Sequence, residues 1–444
     1  MARAKQIFLI FGDIIVLYAA LFCTLFIRFD GNFYNEFADR HALPFSILFV
    51  LWLVVFYIAG LYDPRRLHNN INFFKTLSLS LIVNGIVGVL FFYMLPVFGI
   101  TPKSNLFLFT IIFAVLVVFW RRLFNRFIHL QAAAPFILIG TSPATVAVAD
   151  MITKNPQLGY RIESWIRDVS PESLKRTIED WQAYVHAHNI KMIVIPRNFK
   201  KESALASFFY GLLTLGVEVQ DISGLYQTVF HKIPLAEVAE DWFLDNITET
   251  HKFYDNLKRA GEFVFAIILQ IVLAPIELLA MVLIAVTSPG PIFYSQVRVG
   301  AHGKTFTLYK LRTMRADAEK GGAQWAKPGD ERVTPLGAFL RKTHIDEFPQ
   351  LWNILRGELS FVGPRPERPE FVRELREEIP FYETRHLVSP GITGWAQVNY
   401  RYGASVEDAY EKLSYDIFYI KNRSLVMDAL IVLKTIKTFF FTPR

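Results

Sequence analysis

The sequence predicts a membrane protein of mixed fold class: a four-helix transmembrane bundle, a Rossmann-like α/β domain, and a re-entrant helix that leads into a small α/β domain. Three observations support this prediction. Hydrophobic residues make up 52% of the 444 residues, and the mean hydropathy of +0.29 is too high for an ordinary soluble protein. Long apolar segments fill the first part of the chain, and strand patterns alternate with helix patterns in the middle. A proline interrupts a further apolar stretch near residue 275.

A four-helix transmembrane bundle is predicted for residues 1–127. Four apolar segments can each cross a hydrocarbon core of about 30 Å, and they cover residues 7–27, 43–61, 77–98 and 106–120. Basic side chains are concentrated before the first segment, between the second and third, and after the fourth: Arg3, Lys5, Arg65, Arg66, Lys75, Arg121, Arg122 and Arg126. The positive-inside rule therefore predicts that both ends of the bundle lie in the cytoplasm.

Asp13 lies within the first predicted span. Acidic side chains inside a membrane are often functional. A hydrogen bond between two helices is an equally good explanation, so the sequence leaves both interpretations open.

Residues 135–240 predict a Rossmann-like cytoplasmic domain. Strand and helix patterns alternate along it, with strands at residues 136–140, 160–165 and 191–195 and helices at residues 145–154 and 173–188. The nucleotide-binding fingerprint is poor, because only Gly140 stands where three glycines are needed, and Ser142 and Pro143 would crowd a pyrophosphate. A scaffold or dimerisation module is therefore preferred, with nucleotide binding as the alternative.

A polar connector is predicted at residues 241–259, followed by an apolar stretch at residues 260–287. Pro275 breaks the helical pattern near the middle of this stretch, and the charge of Glu277 would be costly at the centre of a bilayer. Basic residues flank both ends of the stretch, which favours the same side of the membrane for both. We therefore expect a re-entrant helix with its membrane break at Pro275, rather than a fifth span.

The strongest candidate for a functional site is the pair of adjacent carboxylates Asp346 and Glu347. Apolar residues at positions 348, 351, 352 and 355 and the stop at Gly357 predict a short helix that begins beside them. The free N–H groups at a helix beginning favour phosphate, and a carboxylate there can attack phosphorus or hold a metal ion. The simpler alternative is that both acids only complement the dipole of a surface helix.

Cationic side chains near this pair are candidate phosphate ligands, namely Lys310, Arg312, Arg365 and Arg385. Lys310 and Arg312 alternate along a predicted strand at residues 305–314, so they share one face, which suits a diphosphate. A solvated strand edge is the alternative for these two. Arg365 lies between two prolines that hold its backbone stiffly, so its guanidinium could be aimed at an anion.

The last third of the chain contains a dense set of further motifs. They are Ser288-Pro-Gly-Pro-Ile-Phe, Gln296-Val-Arg-Val-Gly, Tyr309-Lys-Leu-Arg-Thr-Met, the stretch from Arg341 to Pro366, and Pro390-Gly-Ile-Thr-Gly-Trp-Ala-Gln-Val-Asn. Together they resemble the bacterial sugar transferases, the monotopic phosphoglycosyl transferases, over roughly the last 190 residues. The resemblance implies that residues 288–444 form the catalytic domain. Large members of that family carry a similar membrane bundle and Rossmann-like domain before it.

Enzymes of this family move a sugar 1-phosphate from a nucleotide sugar to a polyprenyl phosphate. The resemblance implies that Asp346 attacks the phosphate next to the sugar of a UDP-sugar and releases UMP. Undecaprenyl phosphate would then attack the aspartyl phosphosugar. Glu347 would ligate Mg²⁺ through oxygen. The implied setting is the first membrane step of exopolysaccharide or O-antigen assembly, with the catalytic domain on the cytoplasmic side of a bacterial inner membrane.

Bulk properties restrict the partners. The single cysteine, Cys23, excludes an internal disulfide. The net charge of +7 is modest and is typical of anchoring to anionic membrane lipid rather than of binding nucleic acid. A homodimer is expected from the large polytopic and Rossmann-like parts.

Two other classes of protein remain open. A membrane-attached nucleotide-sugar dehydratase or epimerase would need intact fingerprint glycines and a catalytic Tyr-xxx-Lys, a spacing found at Tyr254 and Lys258 in the predicted connector. A non-enzymatic membrane scaffold whose Rossmann-like domain senses a ligand would need no catalytic residues. The number of motifs around Asp346 favours the transferase over both alternatives.

Overall fold

A computed structural model describes residues 2–63, 70–94, 105–130, 133–167, 181–200, 209–247, 251–315, 332–400, 403 and 405–441. The chain divides into two compact units. The first comprises Met1–Val229 and Phe439–Arg444, and the second comprises Phe230–Thr438.

The first unit begins with four long apolar helices, as the sequence predicts. They are α1 (Ala2–Phe29), α2 (Ala42–Ala59), α3 (Ile71–Met94) and α4 (Asn105–Leu130). Helix α1 packs on α4 and α2 packs on α3, around buried aromatic side chains that include Phe45, Trp52 and Phe109. Many outward-facing side chains are apolar as well, such as Ile82 and Phe119, which is typical of helices surrounded by lipid.

Helix length and composition support a membrane location. Within the described ranges, four continuous helical segments are long and apolar enough to cross a membrane: Gln6–Ala59, which contains most of α1 and all of α2, Ile71–Met94, Asn105–Phe127 and Lys252–Thr287. Three of them belong to the bundle, and the last lies in the second unit.

Asp13 makes a contact between helices. Its Oδ2 accepts hydrogen bonds from Arg121 Nη2 at 2.5 Å and from the Tyr62 hydroxyl at 2.7 Å, and Arg121 Nη1 also donates to the Leu61 carbonyl at 2.9 Å. Both charged side chains are fully buried. A buried charge is tolerated when it is paired and hydrogen-bonded. The cluster therefore ties α1, α4 and the end of α2 together.

The middle of the chain forms a parallel sheet with strand order β2–β1–β3–β4, covered by helices. The strands are β1 (Ala134–Ile139), β2 (Tyr160–Ile166), β3 (Met192–Ile195) and β4 (Glu218–Asp221), and the helices are α5 (Pro143–Lys154), α6 (Trp181–Ala187) and α7 (Ile222–Phe230). Part of the helix predicted at residues 173–188 lies outside the described residues. Strand β4 is not predicted by the sequence, because its four residues, Glu-Val-Gln-Asp, have only one apolar member.

Gly140 and Ser142 form the turn after β1. Gly140 has a φ of 111°, a left-handed conformation that favours glycine. Ser142 caps α5 by accepting a hydrogen bond from the Thr145 backbone N–H at 3.3 Å. A side chain at position 140 would contact Pro196, 3.1 Å away. The space beside this turn is therefore already filled by the protein.

The second unit contains the segment predicted as a polar connector, residues 241–259. Helix α8 (Glu240–Ile247) buries Trp242 in a core with Ile233 and Leu235, and the remaining connector residues begin helix α9 (Lys252–Thr287). The described parts of the predicted connector are therefore helical. Trp242, Phe243 and Ile247 give the charged helix an apolar face, and burial of that face holds α8 in the unit.

Helix α9 continues through Pro275 without ending there. Ala266, Ala280 and Ile284 are buried against the rest of the unit, whereas Ile271 and Leu279 on other faces are exposed. Gln270 Nε2 donates to Glu277 Oε2 at 2.8 Å, so the carboxylate that follows the proline has a partner. The sequence placed an interruption at Pro275, and the structure has a continuous helix there. Re-entry into the membrane stays a prediction.

The rest of the second unit is a set of short strands and helices. Strands β5 (Phe293–Val299) and β6 (Thr305–Leu311) form an antiparallel hairpin, and β7 (Ser360–Val362) pairs in parallel with β8 (Gly391–Thr393). The helices are α10 (Pro335–Thr343), α11 (Gln350–Arg356), α12 (Pro369–Glu378), α13 (Trp395–Asn399), α14 (Val406–Asn422) and α15 (Leu425–Phe441). The short helix predicted before Gly357 is present as α11, and the Pro390-Gly-Ile-Thr-Gly motif contains strand β8.

The β7–β8 pair depends on close backbone contact. The Gly363 N–H donates to the Thr393 carbonyl and the Gly391 N–H donates to the Pro364 carbonyl, both at 2.9 Å. A Cβ atom on Gly391 would lie 2.6 Å from the Val362 carbonyl carbon and would also overlap the Gly363 nitrogen. Backbone atoms cannot move aside as a flexible side chain can, so this position requires glycine.

We predict that Gly391→Ala lowers the free energy of unfolding by about 3 kcal/mol, because the added methyl group forces the paired strands apart. The measurement is thermal or denaturant unfolding of the detergent-solubilised protein. The control is Gly261→Ala in α9, where an added Cβ meets no atom within 4 Å and alanine favours the helix by about 0.5 to 1 kcal/mol. Equal stability of the two variants would contradict the role assigned to Gly391.

Candidate active site

Asp346 and Glu347 lie in a separate 3₁₀ turn, Ile345–Glu347, between α10 and α11. His344 ends α10 in the left-handed conformation with a φ of 56°, and the Glu347 N–H donates to the His344 carbonyl at 3.1 Å. Helix α11 starts only at Gln350, because Pro349 precedes it as the N-cap residue. The sequence indicated an α-helix that begins beside the carboxylates. In the structure the carboxylates lie in a separate tight turn, and the α-helix begins three residues after Glu347.

Glu347 is surrounded by positive charge. Lys310 Nζ lies 2.6 Å from Glu347 Oε1, Arg365 Nη2 lies 3.9 Å from the same oxygen, and His344 Nδ1 lies 4.0 Å from Oε2. Burial by itself would raise the pKa of the Glu347 carboxyl, but Lys310 and then Arg365 outweigh it and lower the pKa to about 2. Glu347 is therefore ionised across the physiological pH range.

Asp346 has the opposite environment. Its side chain is buried, and this loss of solvation raises the pKa of the Asp346 carboxyl to about 6, with a further upward contribution from the adjacent Glu347 charge. Lys310 and Arg341 act in the other direction and limit the shift. A carboxylate with a pKa near neutrality is more basic than an ordinary aspartate and is still mostly ionised at pH 7. This combination suits a nucleophile or a general base.

Asn353 determines where Lys310 lies relative to Glu347. Its Nδ2 donates to the Thr307 carbonyl at 2.7 Å, and its Oδ1 accepts from the Tyr309 N–H at 3.3 Å. The amide thus pairs with the edge of β6 as a peptide group would, and it fixes α11 against that strand. Lys310 follows Tyr309 on β6, and Glu347 precedes α11. The two hydrogen bonds of Asn353 therefore hold the Lys310 ammonium and the Glu347 carboxylate close together.

The backbone of the loop that carries Arg365 is held in place by other side chains. Three cationic side chains each donate to a carbonyl in the segment 362–366: Lys258 Nζ to Val362 at 2.6 Å, Arg385 Nη2 to Arg365 at 2.9 Å, and Arg298 Nη1 to Pro366 at 3.0 Å. These bonds add to the stiffness that the flanking prolines provide. The fixed backbone directs the Arg365 guanidinium towards Glu347.

Arg312 and Arg385 have protein partners of their own. Strand β6 ends at Leu311, so Arg312 does not continue the strand face of Lys310 as predicted. It donates to the carbonyls of Ser288 at 2.6 Å and Pro289 at 3.1 Å. Arg385 also donates to the Tyr382 hydroxyl at 2.6 Å and pairs with Asp416 at 2.9 Å. A phosphate contact by either arginine stays a prediction.

A cavity opens beside Glu347. It is lined by Arg298, Leu308, Lys310, Glu347, Gln350, Arg365, Pro366, Gly391 and Ile392. Arg298 and Gln350 were not identified from the sequence. Arg298 belongs to the Gln296-Val-Arg-Val-Gly motif, and the alternation along β5 is the signal that could have placed it on the same hairpin face as other polar groups.

Tyr254 and Lys258 hold other parts of the second unit together. The Tyr254 hydroxyl donates to Asp428 Oδ2 at 2.7 Å, and Lys258 Nζ lies 3.0 Å from the same oxygen and 2.9 Å from the Tyr419 hydroxyl. These side chains belong to the second unit, whereas the parallel sheet belongs to the first. The cluster gives the Tyr-xxx-Lys pair a structural role at the base of the 362–366 loop.

A divalent cation could be held here by few protein ligands. Across the described parts of the chain, no group of three or more His, Cys, Asp or Glu side chains is placed to bind a metal ion. Mg²⁺ commonly takes only one or two carboxylates and completes its shell with water and substrate phosphate oxygens. The ionised Glu347, with Lys310 on one of its two oxygens, fits such a site.

One protein family matches the part of the chain that contains this site. Residues 253–442 match the bacterial sugar transferase family. A UDP-N-acetylgalactosamine-undecaprenyl-phosphate N-acetylgalactosaminephosphotransferase of Aeromonas hydrophila is 47% identical over 185 residues, which are 42% of this chain and 44% of that protein. A putative undecaprenyl-phosphate N-acetylgalactosaminyl 1-phosphate transferase of Bacillus subtilis is 48% identical over 139 residues, 31% of this chain and 78% of that protein.

The similarity to one relative extends to almost the whole chain. A UDP-glucose:undecaprenyl-phosphate glucose-1-phosphate transferase of Klebsiella pneumoniae is 27% identical over 462 residues, covering 96% of this chain and 93% of that protein. The chain spans less than half the length of the Aeromonas relative. The residues that match the family model, 253–442, include Asp346 and Glu347.

We predict that Asp346→Asn stabilises the protein at neutral pH. The pKa of Asp346 is about 6 in the folded protein against an ordinary value of 3.8, so the folded state binds the extra proton between these values. Ionisation of this carboxyl therefore lowers the free energy of unfolding as the pH rises from about 4 to above 6. The asparagine variant does not ionise, so its stability does not fall in this way. The expected gain at pH 7 is on the order of 2 kcal/mol, and it should vanish by about pH 4.

The matched control is Glu347→Gln, measured in the same unfolding experiments. The lowered pKa of Glu347 means that its carboxylate stabilises the fold above its ordinary pKa of 4.5, and that this contribution is lost as the pH falls towards 2. The glutamine variant should therefore lose stability at pH 7. If both variants changed stability in the same direction at pH 7, the opposite environments assigned to the two acids would be wrong.

Proposed function

We propose that this chain, which belongs to the bacterial sugar transferase family, transfers a sugar 1-phosphate from a UDP-sugar to undecaprenyl phosphate. The proposal is carried by two adjacent carboxylates beside a cavity lined by cations. The pKa of Asp346 is raised to about 6, whereas the pKa of Glu347 is lowered to about 2. The named reactions of the relatives supply the substrates.

In the first step the Asp346 carboxylate attacks the phosphorus that carries the sugar. A bond forms between the aspartyl oxygen and phosphorus, the bond between phosphorus and the bridging oxygen breaks, and UMP leaves with that oxygen. In the second step a phosphate oxygen of undecaprenyl phosphate attacks the same phosphorus. The Asp346 carboxylate is released, and the product is an undecaprenyl diphosphate sugar. The raised pKa of Asp346 makes its carboxylate a better nucleophile than an ordinary aspartate.

Both substrates are anions, so the site must offset their charge. Lys310, Arg298 and Arg365 line the cavity and would face the diphosphate. Glu347 would hold Mg²⁺, and the bound ion would neutralise charge on the phosphate oxygens. Lys310 and Arg365 keep Glu347 ionised for that purpose.

The setting that we propose is the cytoplasmic face of a bacterial inner membrane, with membrane lipid and a second copy of the chain as partners. The exposed apolar side chains of α9, including Phe263, Val272 and Leu279, support contact between the second unit and lipid. A site at the membrane surface can receive a soluble nucleotide sugar and a lipid phosphate in turn. The reaction would start exopolysaccharide or O-antigen assembly.

The nature of the sugar is best tested with a panel of donors. The Aeromonas and Bacillus relatives carry N-acetylgalactosamine in their names, and the Klebsiella relative carries glucose. The panel therefore begins with UDP-N-acetylgalactosamine and UDP-glucose, and it measures UMP release on addition of undecaprenyl phosphate. The absence of UMP with every UDP-sugar would argue against the proposed reaction.

We expect Asp346→Asn to abolish both UMP release and the covalent adduct, because an amide oxygen is a poor nucleophile. The measurement is incubation with donor labelled in the sugar, followed by denaturation and mass analysis of the peptide that contains Asp346. The matched control is Asp150→Asn on the surface of α5, where the side chain is 67% exposed, and this variant should keep full activity. A label found on another residue would remove Asp346 from the nucleophile role.

The rate of adduct formation should depend on pH in the same way as the ionisation of Asp346. Because the pKa of Asp346 is about 6 and the deprotonated form reacts, the single-turnover rate should rise about tenfold per unit below that pKa and level off above it. The lowered pKa of Glu347 keeps that side chain from adding a second transition in this range. A rate that does not change between about pH 5 and pH 7 would contradict this assignment.

A further inference from the structure

Gln350 is a buried polar side chain without a protein partner. It is the first residue of α11 and is only 4% exposed. Its side-chain amide makes no hydrogen bond to any residue in the described parts of the chain, and the amide atoms keep some accessible surface. The amide is therefore available to bond water or a ligand that enters from outside.

The amide lies where the donor substrate would bind. Gln350 lines the same cavity as Glu347, Lys310 and Arg365. It follows Glu347 by three residues and Asp346 by four, and side chains at the start of a helix lean back towards the residues before it. This direction favours a position of the amide near the turn that carries the two acids.

Asn353, one turn further along α11, shows what a structural amide looks like in this helix. It is fully buried, and its amide bonds to the Thr307 carbonyl, the Tyr309 N–H and the Glu358 carboxylate. Gln350 has the same functional group and similar burial but none of these bonds. The contrast separates an amide that holds the fold from one that is left open to the cavity.

We propose that Gln350 is a further catalytic residue, whose side-chain N–H donates a hydrogen bond to a non-bridging oxygen of the phosphate that Asp346 attacks. The inference rests on the proposed function, since it needs a nucleotide-sugar donor in this cavity. Lys310, Arg298 and Arg365 supply charge to the diphosphate, whereas a neutral amide supplies one directed bond. Because both steps of the reaction occur at the same phosphorus, the bond would assist both.

The test is Gln350→Met in the full chain. Methionine has a similar length and no branch at Cβ, so it fills the same space and removes only the amide. We expect an unfolding temperature equal to or above that of the wild type, because no protein hydrogen bond is lost. Adduct formation from the labelled UDP-sugar should slow by about tenfold, and so should transfer of the sugar phosphate from the isolated adduct to undecaprenyl phosphate.

The control is Asn353→Leu, which removes the neighbouring amide. This variant should unfold at a lower temperature, because it leaves the Thr307 carbonyl and the Tyr309 N–H without their partner. If Gln350→Met lost stability in the same way, Gln350 would be structural and the inference would fail. Wild-type rates in both half-reactions of Gln350→Met would also overturn it.

The two half-reactions locate the contact. Slowing of both steps supports a bond to the attacked phosphate. If only adduct formation slowed, the amide would contact the departing nucleotide, and the assignment to the attacked phosphate would be wrong. Failure of the wild-type chain to form an adduct would instead refute the proposed function, which keeps that result distinct from a failure at Gln350.

Discussion

The contact between the Lys310 ammonium and the Glu347 carboxylate, at 2.6 Å, is the interaction on which the charge distribution of the site depends. With Arg365 it keeps Glu347 ionised, and the Glu347 charge then adds to burial in raising the pKa of Asp346. Two neighbouring carboxylates would otherwise repel each other, and both pKa values would rise. One cation therefore allows a single turn to present two acids with different functions.

Cations of the second unit have two kinds of role, and Arg298 combines both because it lines the cavity and donates to the Pro366 carbonyl. Lys310 and Arg365 face the cavity, whereas Lys258 and Arg385 direct their donors to carbonyl groups in the segment 362–366. A buried cation that donates to a carbonyl fixes the backbone and does not need to contact a ligand in the cavity. The precise position of Arg365 thus depends on side chains that have no need to touch the substrate.

Regular elements were predictable where one strong local pattern determined them. The apolar spans at α1 to α4 and the short helix α11 follow from run length, periodicity and the glycine at the helix end. Strand β4 and helix α8 were missed, because their short polar sequences carry a weak local signal. Their places are determined by pairing with β3 and by burial of Trp242, and both depend on residues that are distant in sequence.

The sequence by itself determined that the protein is a membrane protein of the bacterial sugar transferase family, and it identified Asp346, Glu347, Lys310 and Arg365 as site candidates. Only the tertiary structure decided which cations meet the acids and which meet the backbone. Arg385 bonds a carbonyl 20 residues away and Lys258 one that is 104 residues away. Local patterns cannot encode such partners, since they are set by how the elements pack together. For the same reason the sequence could not distinguish Gln350, which faces a cavity, from Asn353, which is bonded to a strand.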